Sequence, residues 1–302
     1  MKYLLSTLFV SFFALNLLAQ DYMIVQPKVS SFKKPASTGA IAGTYRIGAR
    51  VKLLEKSANG KFLKVSQEKG ATGWVTSAQV APFDKPMPKE VFLGIARNYM
   101  NKPKEDRAAN IEVENWLTSL KTDKTLSPTE QTEIEFYRLV TIQRIARSIP
   151  FGTNELKTWV DIHKKEVYYT DFGNAGYFLK GEYLWKLESA LPATDPLKER
   201  IAYEAGIIET GGECEGYWVC VLERAMSKAG EYLKRHPKGK NASSVVQSLW
   251  EEFQNMDPAE IKNMDASDQK IAKKWATEWK VVLAKTADSS SKKQLIALFN
   301  KV

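Results

Sequence analysis

Histidine and cysteine, which carry much of the metal and nucleophilic chemistry of enzymes, are scarce in this sequence. The 302-residue chain has two of each, whereas a zinc site needs three or four Cys, His or carboxylate ligands. The sequence therefore predicts no metal site. It also lacks a glycine-rich phosphate-binding motif, so we expect no nucleotide and no other cofactor.

Long apolar runs are also scarce, and the one that qualifies lies at the N-terminus, in MKYLLSTLFVSFFALNLLAQ. A positive charge at Lys2, an apolar run of about 16 residues and a small Ala19 are typical of a cleaved secretory signal. A spanning helix needs roughly 20 apolar residues. We therefore expect residues 1–19 to be removed and no integral membrane segment to remain. The mature protein is predicted to be periplasmic or secreted, a compartment in which no nucleic-acid partner is expected.

The two cysteines, Cys214 and Cys220, lie in the stretch GGECEGYWVC. Two cysteines in an exported chain usually pair. Within one helix they would lie about 9 Å apart along the axis, which exceeds the limit of about 7 Å for a bridge. Gly211, Gly212 and Gly216 favour a loop that ends beside a helix, so that Cys214 folds back onto Cys220. The pattern predicts a disulfide.

Positive charge is concentrated in the segment that follows the predicted signal peptide. Residues 21–84 contain eight Lys and two Arg against four carboxylates, a net charge of +6, whereas the whole chain carries +9. Such a local excess attracts anionic polymers or surfaces. We therefore expect peptidoglycan or another anionic cell-wall polymer as a partner. A solvated basic face without a partner is the alternative that the charge leaves open.

Short strand patterns fill the same region, in the stretches RVKLLEK, GKFLKVS and ATGWVTS. The sequences SANG and QEKGATG between them are typical hairpin turns. Several short strands separated by turns predict a small barrel. A barrel of this size uses most of its apolar residues internally, and the predicted core residues are Leu53, Phe62, Val65 and Trp74.

The segment YRIGARVKLLEKSANGKFLKVSQEKGATGWVTSAQV resembles a bacterial SH3-like (SH3b) domain, with the resemblance covering residues 21–83. The matching residues are Gly48, Val51, Leu53, Phe62, Val65, Gly73, Trp74 and Val75. The sequence departs from the family at Phe62, where many members have Trp. The resemblance implies an SH3-like barrel, and members of the family bind peptidoglycan, peptides or no known ligand.

Binding residues usually lie in loops, and the candidate ligand-binding residues fall in the long first loop of the predicted barrel. They are Phe32, Lys33, Lys34, Tyr45 and Arg46. An aromatic ring flanked by cations is suited to stack on a sugar or peptide while the cations pair with carboxylates. The alternative is that these are ordinary surface residues of a loop with no binding role.

After a proline-containing linker at residues 84–90, the apolar period changes from 2 to 3.6. Ser127, Pro128 and Glu130 form a helix-start signal. Further helices are predicted at about 154–164, 176–190, 195–209, 216–235, 242–255, 266–285 and from 290 onward. Residues 91–302 are therefore predicted to form an all-α domain.

Residues 176–255 contain a degenerate internal repeat, with Pro192 and Pro237 lying 45 positions apart. The two copies, EYLWKLESALPATDPLKERIAYEAG and KAGEYLKRHPKGKNASSVVQSLWEEF, resemble tetratricopeptide-like helical-hairpin repeats. The resemblance implies a stacked scaffold that binds a protein partner. A plain helical bundle is the alternative.

Three stretches suggest chemistry. The Cys214 region resembles the Cys-Ser-Gly-aromatic motif of cell-wall cysteine peptidases, but Glu215 replaces the Ser. No strand pattern follows to carry the required His. TDFGN matches the Asp-Phe-Gly of protein kinases without its companion motifs, and we interpret it as a loop. Four glutamates lie close together near residue 209. They could include the acid pair of a wall-lytic enzyme, or they could be solvated charges at helix ends. The four are Glu204, Glu209, Glu213 and Glu215.

Together these patterns predict a multidomain exported protein with an SH3-like barrel at 20–83, a linker at 84–90 and helices at 91–302. No residues are predicted to be catalytic, and we expect a non-enzymatic binding or scaffold protein of the bacterial envelope. The barrel is expected to bind the wall polymer, and the helical surface a protein partner. The alternatives are a peptidoglycan-lytic enzyme with a helix-borne Glu, and a secreted host-interaction or inhibitor protein.

Overall fold

The computed structural model describes residues 21–83, 88–101 and 106–302. The predicted signal at 1–19 and positions 84–87 of the predicted linker lie outside these residues. The chain forms two compact units, which divide between Ile145 and Ala146. The change from strands to helices therefore falls inside the first unit.

The first unit opens with a seven-stranded antiparallel sheet. Its strands are β1 (Asp21–Ile24), β2 (Val29–Phe32), β3 (Ile41–Tyr45), β4 (Arg50–Lys56), β5 (Phe62–Ser66), β6 (Thr72–Thr76) and β7 (Val80–Pro82). Their order is β3-β2-β6-β5-β4-β1-β7, so β3 and β7 form the two edges. A β region is therefore confirmed, but the sheet is not closed into a barrel.

Strand alternation creates the core of the sheet. Leu53 of β4 lies opposite Val65 of β5, and both are buried. Two other predicted core residues do not pack in this core. Phe62 is only half-buried, and Trp74 is buried on the opposite face, where it lies directly across from Lys64. Because successive side chains of a strand point to opposite faces, Trp74 cannot share the face of its buried neighbour Val75.

The first helices follow as α1 (Pro88–Met100), α2 (Arg107–Leu120) and α3 (Pro128–Ser148). The predicted start of α3 is confirmed as a capping box. The amide of Glu130 donates to the Ser127 hydroxyl at 3.3 Å, and the Ser127 amide donates to the Glu130 carboxylate at 2.7 Å. This backbone hydrogen bond from Ser127 is the largest cause of a lowered pKa at Glu130.

The second unit is mainly helical. Its elements are α4 (Lys157–His163), β8 (Val167–Thr170), β9 (Gly176–Leu179), α5 (Glu182–Ala190), α6 (Pro196–Gly206), α7 (Trp218–Ala225), a π-helical turn (Met226–Gly230), α8 (Glu231–Arg235), α9 (Ala242–Phe253), a 3-10 helix (Pro258–Asn263), α10 (Ala266–Ala284) and α11 (Ser290–Phe299). The predicted helical region is confirmed in this coarse form. The β8–β9 hairpin is the exception to an all-α domain.

The hairpin corrects the helix predicted at 176–190, which begins only at Glu182. Residues 176–179 instead pair with β8. The physical reason is cross-strand pairing of aromatic residues, such as Tyr169 opposite Tyr177, which outweighs a short apolar run that also fits a helix. The TDFGN loop predicted beside it forms the hairpin turn.

The core of the second unit is built on aromatic contacts around Phe253. Its ring centroid lies 6.2 Å from that of Trp218, 6.4 Å from Trp279 and 5.4 Å from Phe299. Helices α5 and α6 pack as a pair, and α8 contacts α9. The resemblance to tetratricopeptide-like repeats stays a prediction.

The predicted disulfide is confirmed. Cys214 lies in the loop before α7 and Cys220 in its first turn, with their Cα atoms 5.5 Å apart. Gly212 and Gly216 have φ values of +82° and +75°, which allow the loop to reverse at low cost because glycine lacks a Cβ.

Replacing both cysteines, as in Cys214→Ser/Cys220→Ser, is expected to lower the free energy of unfolding by about 2 kcal/mol, because the open loop regains entropy in the unfolded chain. Urea unfolding with and without dithiothreitol measures this. Reductant should shift the wild-type midpoint and leave the double variant unchanged. An unshifted wild-type midpoint would mean that the bridge does not stabilise the fold.

Glu188 on α5 is a buried carboxylate, only 2 % exposed, that holds three helices together. It lies 2.6 Å from Arg235, 3.3 Å from Lys198 and 3.3 Å from His236. Burial raises the pKa of Glu188, but the hydrogen bond from Arg235 and the neighbouring cations outweigh it, and the net pKa is lowered.

A lowered pKa in the folded state means that the unfolded chain binds more protons. The stabilisation is therefore complete above the ordinary carboxyl pKa of 4.5 and is lost as the pH falls below it. Glu188→Gln is expected to cost about 3 kcal/mol at neutral pH and to weaken acid sensitivity. Urea midpoints across a pH series test this, with exposed Glu223→Gln as the control. Wild-type acid sensitivity in Glu188→Gln would contradict the assignment.

Candidate functional site

A groove of about 440 Å³ opens in the first unit, between the turn that follows β3 and helix α2. The turn contributes Arg46 and Ile47. The lining residues of α2 are Ala108, Ile111, Glu112, Asn115, Trp116 and Ser119. We call this set the α2 groove. It combines one cation, three polar side chains and an apolar floor.

Glu112 holds the two walls of the α2 groove together. One of its carboxylate oxygens accepts the backbone N–H of Ile47 at 2.6 Å, and the other accepts the backbone N–H of Lys28 at 3.2 Å. Lys28 has a φ of +54°, a region that costs energy for a residue with a Cβ. The carboxylate therefore fixes two loops of the sheet against one turn of helix.

The N-terminus of α2 supplies a second link. Asp106 caps the helix by accepting the Ala109 amide at 2.8 Å, and it also lies 3.2 Å from the ammonium of Lys28. The backbone hydrogen bond from Ala109 is the main reason why the pKa of Asp106 is lowered. The helix start and the sheet loop thus share one carboxylate.

The floor of the α2 groove depends on a close approach between Gly48 and Trp116. Trp116 is 9 % exposed, and a Cβ added to Gly48 would meet its indole ring directly. Gly48 also has a φ of +76°. Only glycine satisfies both conditions, because it has no Cβ and accepts positive φ.

Arg46 gives the α2 groove its chemical character. It is exposed and forms no ion pair with a described residue, whereas both oxygens of Glu112 accept backbone amides. Asn115 and Ser119 are exposed beside it, and the Ser119 hydroxyl donates to the Trp116 carbonyl at 2.6 Å. This arrangement suits a ligand that joins an anionic group to an apolar one, with polar atoms at its edge.

The five predicted ligand-binding residues do not form one cluster. Lys33 and Lys34 are exposed in the turn after β2. Phe32 is half-buried at the end of that strand, where it pairs with Trp74. Arg46 lines the α2 groove. The predicted first loop therefore contains strand ends as well as exposed turns.

Tyr45 requires a correction, because it belongs to the core of the sheet and not to an open loop. It is 1 % exposed, and its hydroxyl donates to the Ala71 carbonyl at 2.7 Å and contacts that of Val65 at 3.1 Å. Burial raises the pKa of its phenol. The end of β3 points this ring inward, so Tyr45 does not offer a stacking surface.

A contact between an aromatic ring and a cation, on the face of the sheet opposite Val75, was not predicted from the sequence. Lys64 lies across from Trp74, with its ammonium 6.0 Å from the ring centroid, and 3.6 Å from Glu55. Phe32 flanks the same ring on β2. The sequence did contain a signal for this contact. Side chains alternate between the two faces of a strand, so Trp74 and its neighbour Val75 must lie on opposite faces.

The features that suggested chemistry are dispersed. His163 is bonded to Glu166 at 2.7 Å, and His236 to Glu188 at 3.3 Å. Glu209 forms an ion pair with Arg147 at 2.7 Å. Of the four glutamates considered together, only Glu204 lies on a helix; the other three are in the loop before α7. Across residues 21–83, 88–101 and 106–302, no group of His, Cys, Asp and Glu is arranged to hold a metal.

Gly48→Ala is expected to destabilise the first unit far more than Gly60→Ala. Both glycines have positive φ, but Gly60 faces open space. Backbone strain alone costs about 1 kcal/mol, and displacing Trp116 adds roughly 1–3 kcal/mol. Urea unfolding followed by tryptophan fluorescence measures the difference. Equal costs for the two variants would show that the indole does not restrict this turn.

The comparisons with known proteins do not assign a family. No protein-family model matches the chain, and no curated protein is significantly similar to it. Among the helices described, none has the length and apolar character needed to cross a membrane. Function must therefore follow from the charges and surfaces described above.

Proposed function

We propose that the protein is a non-enzymatic binding protein of the bacterial envelope, exported to the periplasm or the cell exterior. In this proposal the basic sheet region of the first unit binds peptidoglycan or another anionic wall polymer. The helical surface of the second unit binds a protein partner. The distribution of unpaired positive charge is the observation that carries the proposal.

The ten cations of the sheet region all reach its surface. They are Lys28, Lys33, Lys34, Arg46, Arg50, Lys52, Lys56, Lys61, Lys64 and Lys69. Two of them, Lys28 and Lys64, are neutralised by ion pairs. Lys33, Lys34 and Arg46 form none with a described residue. Unpaired surface cations are available for the repeated anionic groups of a polymer, and their combined field raises its local concentration.

The α2 groove adds selectivity to this attraction. Arg46 can pair in bidentate fashion with a carboxylate, and the apolar floor beside it accommodates a short aliphatic group. Peptidoglycan joins carboxylates to small aliphatic side chains in its peptide stems. A purely electrostatic surface would not distinguish such a stem from other anions.

The fold of the sheet region is compatible with the SH3-like family that its sequence resembles, and we extend the proposal to that family. The Val51 and Leu53 strand pairs with the next strand through the turn at 57–60, and that strand pairs with the Trp74 strand, in an antiparallel sheet that is not closed into a barrel. Family members bind peptidoglycan or peptides, which agrees with the ligand inferred from charge.

Retention on purified peptidoglycan sacculi tests the proposal. The full chain is expected to bind at low salt and to be released as ionic strength rises, because the Debye length falls from about 30 Å at 0.01 M to about 8 Å at 0.15 M. Lys33→Glu/Lys34→Glu should reduce retention several-fold. Arg46→Ala should reduce it further, through the α2 groove.

A matched control lies in the second unit, where Lys273 and Lys274 are also consecutive and exposed. Lys273→Glu/Lys274→Glu changes net charge by the same amount and should leave retention near the wild-type level. An equal loss in both double variants would reduce the effect to overall charge. Absence of low-salt retention in the wild-type chain would refute wall binding.

A further inference from the structure

Three aromatic rings form a row on the exposed side of the β8–β9 hairpin. The rings of Phe151 and Tyr169 are nearly parallel, 8° apart in plane and 6.4 Å apart in centroid, and Tyr177 lies 5.0 Å from Tyr169 as its cross-strand partner. Phe151 is 60 % exposed and Tyr169 46 %. We call these three residues the aromatic row. Contiguous exposed rings of this kind mark a binding surface more often than isolated ones do.

The opposite face of the hairpin is firmly anchored. The Tyr168 hydroxyl accepts the Gly211 amide at 3.1 Å, and the Arg147 guanidinium lies 4.2 Å from the centroid of the Phe178 ring. Arg147 is held in turn by Glu209 at 2.7 Å. Tyr169 and Tyr177 are therefore presented from an anchored hairpin, which reduces the free energy that a ligand loses in ordering them. Phe151 reaches the same row from the turn that follows α3.

The aromatic row is also able to form hydrogen bonds. The hydroxyls of Tyr169 and Tyr177 make none with any residue in the described part of the chain, and each can donate and accept. A sugar ring presents C–H groups on its face and hydroxyls at its rim. We propose that the aromatic row binds a saccharide chain, with C–H faces on the rings and rim hydroxyls bonded to the phenols.

The size of the aromatic row favours a saccharide over a protein. An aromatic side chain contributes about 150–250 Å², so the exposed parts of the three rings amount to roughly 300 Å². A stable protein interface buries about 800 Å² on each partner. A few sugar units cover the smaller area. The inference concerns the second unit alone and stands whether or not the sheet region binds a wall polymer.

Calorimetric titration of the full chain with tetra-N-acetylchitotetraose and cellotetraose tests the proposal. Binding of at least one of them is expected. Phe151→Ala and Tyr169→Ala should each weaken that binding roughly tenfold, as expected for the loss of one aromatic contact. Tyr169→Phe keeps the ring and removes only the hydroxyl, so it should have a smaller effect. Because it is conservative, it also remains informative if an alanine variant fails to fold.

The matched control is Phe172→Ala, which removes a ring that is 57 % exposed and lies in the same hairpin but outside the aromatic row. It should bind as the wild type does. A loss equal to that of Tyr169→Ala would indicate general apolar adhesion and overturn the assignment. Failure of both saccharides to bind, or binding of a polyproline peptide in their place with the same ring dependence, would also overturn it.

Discussion

The Glu112 carboxylate is the interaction on which the first unit depends. It accepts backbone amides from Ile47 and Lys28, two loops separated by strands β2 and β3. Hydrogen bonds to a charged acceptor are worth more than neutral ones, and here both bonds cross from a helix to the sheet. They tie the turn that carries Arg46 and the loop at Lys28 to α2.

The same contact defines the α2 groove. Helix and turn are held at hydrogen-bonding distance, so their side chains must either interlock or leave a space. At Gly48 they interlock, because the missing Cβ lets the indole of Trp116 approach the backbone. Beside it, Arg46 and Asn115 point to solvent and leave the space open. The Glu112 carboxylate and Gly48 therefore account for a groove with an apolar floor and a polar, solvent-exposed rim.

Much of the fold could be predicted because its signals are local. The turn at 57–60, the capping box of Ser127 and Glu130, and the Cys214–Cys220 bridge each depend on residues fewer than seven positions apart. For such pairs, backbone geometry limits the outcomes to very few. The order of β and helical regions follows in the same way from a change in apolar period.

The candidate sites depend on residues distant in sequence, and most of their features could not be predicted. Arg46 was identified as a loop cation, but its neighbours Glu112 and Asn115 are more than sixty positions away. Tyr45 looked like a loop aromatic because nothing local shows that its hydroxyl meets the Ala71 carbonyl. The β8–β9 hairpin was hidden for a related reason. Cross-strand pairing is supplemented there by contacts of Tyr168 with Gly211 and of Phe178 with Arg147, since a two-stranded hairpin by itself is only marginally stable.

The buried and the exposed polar residues of this structure have different roles. Buried Glu188 is bonded to Arg235 and holds helices together, and buried His163 is bonded to Glu166 just beyond the end of its own helix. Arg46 and Tyr169 are exposed and available for contact with a ligand. A binding surface benefits when its exposed groups are fixed in position, because less conformational freedom is lost on binding. In both surfaces, polar contacts lie behind the exposed residues: Glu112 accepts an amide from the turn that carries Arg46, and Gly211 donates to the strand that carries Tyr169.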